Sequence, residues 1–209
     1  MIKKILLPLG ITIVVAVAGI LIMAAMKPDT FTYQRSKLIK ASRDKIYDQV
    51  IDFHNWTKWS PYEHKDPNMK RTYSGAESGV GSKYAWEGND EVGKGNMEIT
   101  QAKKPTSISM GLHFTEPFQG DNQVVFSMVP QGEQTEVTWS MSGTNPFMCK
   151  VMGMFLDVEK MCNDDFDKGL TNLKNYIERG ETSDPKASKE EAKTEPEIRE
   201  AQPESTSKE

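Results

Sequence analysis

Gln123 to Met141, "QVVFSMVPQGEQTEVTWSM", holds two runs in which every second residue is large and apolar: Val124, Phe126 and Met128, then Val137, Trp139 and Met141. Side chains of a strand alternate between its two faces, so each run collects its aromatic and Met residues on one face and its polar residues on the other. Pro and Gly separate the runs. That is the pattern of an antiparallel sheet with one packed face and one solvated face.

The same period extends back to Met69. Tyr84 and Trp86 share one face of "KYAWE" (83–87), Met97 and Ile99 one face of "NMEIT" (96–100), and Ile108, Met110, Leu112 and Phe114 one face of "ISMGLHF" (108–114). "EGNDEVGKG" (87–95) supplies a Gly-rich hairpin connection and "QAKKPTS" (101–107) a longer one. Residues 69–141 are therefore expected to form a meander. Glycines 79, 81, 93 and 95 are turn and bulge glycines: a dinucleotide fingerprint needs strand, glycines and then helix, whereas these lead into strands, and no G-K-[ST] follows.

Downstream, Phe147, Val151, Met154, Phe155, Val158, Cys162, Phe166, Leu170, Leu173 and Ile177 recur at three- and four-residue steps, which predicts one long amphipathic helix from about Pro146 to Arg179. The apolar surface available to receive it is the concave face of the meander. Upstream, "FTYQRSKLIKAS" (31–42) reads as a strand. Ser42 is a plausible N-cap for a helix over "RDKIYDQVIDFHNW" (43–56), ending around His54 to Trp56.

The order predicts an α+β fold: a curved antiparallel sheet of about seven strands wrapped around a C-terminal helix, with two short helices after the first strand. A cavity between sheet and helix would be lined by Tyr84, Trp86, Met110, Phe114, Phe126, Met128, Trp139 and Met141 from the sheet and by Met154, Phe155 and Val158 from the helix, with Trp56 and Trp59 plugging the lid end. The same residues also suit a filled core. Their Met content favours a surface that adapts to varied apolar ligands, because the thioether side chain is flexible and polarisable.

Both ends differ from this middle. Lys3 and Lys4 precede Ile5 to Met26, which carries no charged residue, and about twenty apolar residues suffice for a helix to cross a bilayer. Residues 1–26 are expected to be an uncleaved single-pass membrane anchor rather than a signal peptide, because the run exceeds the usual h-region and "MAAMK" (23–27) is a poor cleavage site. Lys27, Arg35, Lys37 and Lys40 follow the run, yet the two leading lysines favour a cytoplasmic N-terminus and an extracytoplasmic domain. Residues 27–30 are a linker and 31–179 the domain. Residues 180–209 have one Ile as their only large apolar side chain and are expected to be a disordered, solvated tail. The tail holds nine acidic and five basic residues, so the chain's net charge of −4 lies there and the rest is balanced. No basic face for nucleic acid is implied.

Cys149 and Cys162 would lie ~20 Å apart on one helix, too far for a disulfide. With three scattered His residues, neither a metal site nor a cofactor is expected.

Candidate acid–base groups cluster in "DFHNWTKWSPYEHKDP" (52–67), where His54, His64 and Asp66 stand near a cavity mouth. The two prolines make this an irregular loop, in which a His more often solvates or hydrogen-bonds than abstracts protons. Asp52 is expected to anchor the end of the helix. His113 and Glu98 alternate with the packed face and point away from it. "NWT" (55–57) matches a glycosylation sequon but lies in a Trp-packed segment.

"DFHNWTKWSPY" (52–62), "DPNMK" (66–70), "YSGAESGVGSKYAWEGN" (73–89), "EVGKGNMEI" (91–99), "TEVTWSMSG" (135–143) and "DFDKGLTNLK" (165–174) resemble, in order, the blocks of bacterial polyketide-cyclase-like proteins of the SRPBCC superfamily. Many of these begin with one transmembrane helix, and the superfamily includes START lipid-transfer domains and birch-pollen-allergen proteins. The resemblance implies the helix-grip fold over about 31–179 and a cavity for a hydrophobic or lipid-like small molecule, with no common catalytic constellation. The leading expectation is a membrane-anchored, non-catalytic binding domain. The alternatives are a cyclase, dehydratase or hydrolase using His54, His64 or Asp66 on a hydrophobic substrate, and a regulator that grips an unknown protein partner.

Overall fold

The structure is a computed structural model and describes residues 2–66 and 68–180, with side chains from residue 14 onward. Helix α1 (Ile2–Ala25) precedes strand β1 (Thr30–Ile39), helix α2 (Arg43–Val50) and two short 3-10 helices, Phe53–Lys58 and Pro61–His64. Six strands follow: β2 (Lys70–Gly75), β3 (Ser82–Glu87), β4 (Lys94–Lys103), β5 (Ser107–Glu116), β6 (Gly120–Gln131) and β7 (Gln134–Thr144). Helices α3 (Phe147–Met152) and α4 (Val158–Arg179) complete the fold.

The sheet has seven strands in the order β1-β7-β6-β5-β4-β3-β2, and every neighbouring pair is antiparallel. The register of β6 and β7 sets Phe126 opposite Trp139 and Val124 opposite Met141, so the two apolar runs share one face. Gly95 has a packing reason: a Cβ there would stand 2.6 Å from the Trp86 ring, which lies over it. Gly93 takes φ +61° in the β3–β4 turn.

Ser42 caps α2 by accepting from the Lys45 N–H at 3.4 Å. The helix stops at Val50 rather than near Trp56, because Asp52 starts a new 3-10 turn by accepting the His54 N–H at 2.9 Å. Asp52 thus caps a beginning rather than anchoring an end.

The single helix expected from Pro146 to Arg179 is two helices. Gly153 ends α3, and Asp157 starts α4 by accepting the Lys160 N–H at 3.0 Å. Apolar spacing continues through the intervening turn, which is why periodicity alone hid the break. Cys149 and Cys162 therefore lie on separate helices, both free and half-buried.

Helix α4 runs parallel to β1. Lys174 Nζ donates to the Leu38 carbonyl at 2.7 Å, Glu178 accepts the Lys40 N–H at 2.6 Å, and Lys37 pairs with Asp167 at 2.9 Å. Between α2, the C-terminal half of α4 and the sheet, Ile46, Val50, Phe126, Val137, Leu170 and Leu173 are fully buried. Each side chain of this size stabilises the fold by ~1.5–3 kcal/mol on burial. This end of the grip is closed.

At the other end α1 meets α3. Ala24 is buried, Lys27 Nζ donates to the Gly153 carbonyl at 2.7 Å, and Lys150 pairs with Asp29 at 2.5 Å. Among the described residues no helix is long and apolar enough to cross a membrane. Of the expected span 5–26, the side chains of residues 5–13 lie outside the described residues. The expected tail after Gly180 lies outside them as well.

Candidate functional site

The Trp139 ring sits in the middle of the grip. It stacks on Phe166 of α4 at 4.6 Å and lies 4.8 Å from Phe126, 5.9 Å from Trp59 and 6.1 Å from Trp56. Trp59 is 0% exposed, and its carbonyl accepts from Asn172 of α4 at 3.1 Å; the Trp56 indole N–H donates to the Val50 carbonyl at 3.1 Å. Both Trp residues therefore fill the centre instead of plugging the lid end, because α4 and the 3-10 turns draw them beneath the helix. Met110, Phe126 and Met128 are buried behind this plug as core.

Beyond the plug the same sheet face opens. Tyr33 pairs with Met141, Phe31 with Gly143 and Gly143 with Asn122, while Gly95 faces both Trp86 and Phe114. Phe31, Tyr33, Trp86, Phe114, Asn122 and Met141 point inward yet are only half-buried. At the same strand ends, and mostly on the outer face of the sheet, lies an open depression of about 440 Å³ whose lining includes Thr30, Thr32, Asp121, Gln123, Ser142 and Thr144. Trp86 is held by its indole N–H, which donates to the Val92 carbonyl at 2.9 Å, and Tyr84 forms the buried wall behind it.

The tyrosine hydroxyls and the Cys162 thiol beside this opening are uncharged at neutral pH. Burial, with Asp165 adding to it, holds the Tyr62 hydroxyl well above its usual range and pushes the Cys162 thiol up to about 11. The Tyr33 hydroxyl is raised by burial and then by the nearby Cys162, Glu159 and Asp157 at the start of α4. Such a surface offers apolar area and uncharged hydroxyls.

Three expected lining residues lie elsewhere. Phe155 is 70% exposed and Met154 is half-buried, both in the turn between the helices, and Val158 is exposed at the first residue of α4. The break at Gly153 turns Phe155 and Val158 away from the sheet.

The acid–base candidates are tied to separate partners. The His54 ring stacks on Tyr73 at 4.2 Å with Nδ1 2.8 Å from Asp52 Oδ1, and its side chain is half exposed. Asp66 is buried and accepts the Asn68 and Asn89 N–H groups at 2.9 and 2.8 Å, clamping its loop to the β3–β4 turn. His64 is half-buried at the end of the second 3-10 helix. His113 and Glu98 lie on the outer face, paired with Asp121 at 2.6 Å and Lys83 at 3.2 Å. Among the described residues no cluster of His, Cys, Asp or Glu is placed to hold a metal ion.

One buried polar unit escaped sequence reasoning. Glu63 accepts from Arg71 Nε at 2.5 Å and from the Tyr84 hydroxyl at 2.9 Å, with its side chain 5% exposed. The signal was Arg71 itself, a charged residue that shares a face with Trp86 across the β2–β3 pair and so points inward. Phe31 and Tyr33 carry only a strand signal in the sequence, because it is the β1–β7 pairing that brings them to Met141.

A curved seven-stranded sheet gripping a C-terminal helix defines the SRPBCC helix-grip class. The chain belongs to the polyketide cyclase/dehydrase and lipid transport family, whose model matches residues 30–178. Among solved structures, the chain is similar to Aha1 from Colwellia psychrerythraea, solved in solution as a dimer (20% identity, TM-score 0.53, covering 72% of this chain and 98% of that one). It is also similar to protein CV1439 from Chromobacterium violaceum (14%, 0.52, 73% and 99%) and to protein SA2116 from Staphylococcus aureus (11%, 0.55, 72% and 95%). At these identities the likeness is one of fold. No curated protein matches the sequence.

Proposed function

We propose that this chain is a membrane-anchored binding protein for a hydrophobic or lipid-like small molecule, held at the open end of the grip without chemical change. The observation that carries this reading is the change in exposure along one face: inward-facing side chains are sealed up to Trp139 and half-exposed beyond it at Tyr33, Met141, Trp86 and Phe114. Leaving aromatic and thioether area open on the concave face forgoes about 25 cal/mol per Å² of burial, which an apolar ligand would restore. Uncharged Tyr33, Tyr62 and Asn122 suit the orientation of a ligand with a single polar end. The tethering part of the reading rests on the uncharged run Ile5–Met26, with the domain on the extracytoplasmic side.

Native mass spectrometry and solvent extraction of full-length protein, purified in detergent from its own membrane, test the binding. An apolar molecule near one per chain, diminished in Met141→Trp, is the expected result. Empty protein that also fails to take up a fluorescent fatty acid would overturn it.

A further inference from the structure

Phe147, Met148, Phe155, Leu156, Val158 and Met161 are 48, 62, 70, 50, 38 and 59% exposed, and they fall within fifteen residues spanning α3, the following turn and the start of α4. Single exposed apolar side chains need no explanation, but a cluster of this kind marks an interaction surface. Its position indicates the partner. The segment is stapled to the end of α1 and its linker: Ala24 is buried, Lys27 Nζ reaches the Gly153 carbonyl at 2.7 Å, and the Asp29 carbonyl accepts the Asn145 N–H at 2.7 Å. On the tethering reading, the 24 residues of α1 are ~36 Å long against a hydrocarbon core of ~30 Å, which would leave little slack between its end and the bilayer surface. It exposes Val17, Leu21 and Ile22, and Met26 follows exposed at the junction.

Two of the cations nearby face inward, while Lys160 is exposed and paired with Asp164. Lys150 is turned onto Asp29 with its side chain 7% exposed, and Lys27 is engaged with Gly153. The exposed side chains of α3 and the turn after it, Phe147, Met148, Phe155 and Leu156, are all apolar, while Asp157, Glu159 and Lys160 are exposed at the start of α4; an apolar patch rimmed by charge suits the boundary between headgroups and acyl chains.

We propose that α3, the turn after it and the first turn of α4 dock on the lipid bilayer beside α1. This surface rests on the tethering reading above. It covers the Tyr33 side of the opening, since Tyr33 lies near Cys149 of α3 and near Asp157 and Cys162 of α4, so docking places the mouth of the grip at the membrane.

The test places full-length protein in nanodiscs of phosphatidylcholine and phosphatidylglycerol, with or without bromine on the acyl chains. Emission gained in Phe155→Trp and, separately, in Ile22→Trp over the unsubstituted chain is measured, and both positions are exposed enough to accept the ring. The expected result is that both added emissions lose most of their intensity to brominated lipid, while the buried Trp56, Trp59 and Trp139 lose little. Quenching at position 22 but not at 155 overturns docking and leaves the tether standing. Quenching at neither removes the tether and docking together. Emission at 155 that is shielded from bromine and blue-shifts only in discs holding two copies assigns the face to a second chain and likewise overturns the proposal.

Discussion

The substitution Glu63→Leu tests whether the carboxylate beneath the second 3-10 helix is a structural pin. Its side chain is 5% exposed, and its two oxygens take one hydrogen bond each, from Arg71 Nε at 2.5 Å and from the Tyr84 hydroxyl at 2.9 Å. A leucine side chain at this position keeps the packing volume but strands both donors. Breaking a buried ion pair by removing one member costs about 3–5 kcal/mol. Arg71 is 25% exposed and already donates Nη1 to the Met69 carbonyl, so it can recover some water contact, and the lower figure applies: about 3 kcal/mol. At this chain length that corresponds to a melting temperature lowered by about 6–12 °C. Urea unfolding followed by Trp emission, with the slope m unchanged, is the assay. The double variant Glu63→Leu with Arg71→Leu removes both charges together, so its loss falls short of the sum by about 2 kcal/mol. A Glu63→Leu protein within ~0.5 kcal/mol of the unsubstituted one, or strictly additive losses, would refute the pin.

Three further outcomes follow from particular contacts. Gly169→Ala improves helix propensity by about 1 kcal/mol, yet its Cβ would meet the Trp139 ring at 2.7 Å and Pro61 at 2.9 Å. Overpacking of about 1–3 kcal/mol wins, and thermal melting shows a net loss; a gain would mean that α4 is less tightly seated than the contacts require. Cys162, with its thiol raised to about 11, is a thiolate in only about one molecule in a thousand at pH 8, so peptide mapping after iodoacetamide finds it largely unmodified, with the rate climbing tenfold per pH unit. Alkylation at the rate of an ordinary free thiol would contradict that burial. The Tyr62 and Tyr84 hydroxyls are held up by burial while the unfolded chain's ionise near 10, so the unfolded state binds fewer protons above that pH. Their contribution to stability is complete below pH 10 and is lost as pH rises toward the folded values. Phenolate absorbance for these two residues appears together with unfolding; a separate, earlier rise would argue that they are reached by water.

What the sequence disclosed and what it hid follow from how far each signal reaches along the chain. Period-two alternation is local, so the meander and its packed face were legible residue by residue from Tyr84 to Met141. The Ser42 cap is equally local. The break between α3 and α4 was hidden because Phe155 continues the three- and four-residue spacing that defines an amphipathic helix, while Gly153 and Asp157 interrupt the backbone beneath it. Depth is not a local property at all: Trp59 reads the same in a lid or in a core, and only its seat against Phe126, Trp139 and the Asn172 amide decides that it is core. The open end was hidden for a related reason, since Tyr33 reaches Met141 only when the first strand pairs with the last.

The loop from Asp52 to Asp66 shows how this changes the functional argument. Its carboxylates suggest acid–base work when read as a list of groups. In the fold Asp52 caps a 3-10 turn and holds the His54 ring, Glu63 pins β2 and β3, and Asp66 ties its loop to the next hairpin. A carboxylate that already accepts two hydrogen bonds fixing the backbone or a neighbouring strand cannot exchange a proton with a substrate without releasing them. The loop's polar groups hold one wall of the grip rigid, while the neutral opening at Tyr33, Trp86, Phe114 and Met141 is left to shape and apolar contact. That division of labour, structural charge on the wall and aromatic and thioether area at the mouth, is the arrangement on which the proposed capture of a hydrophobic molecule rests.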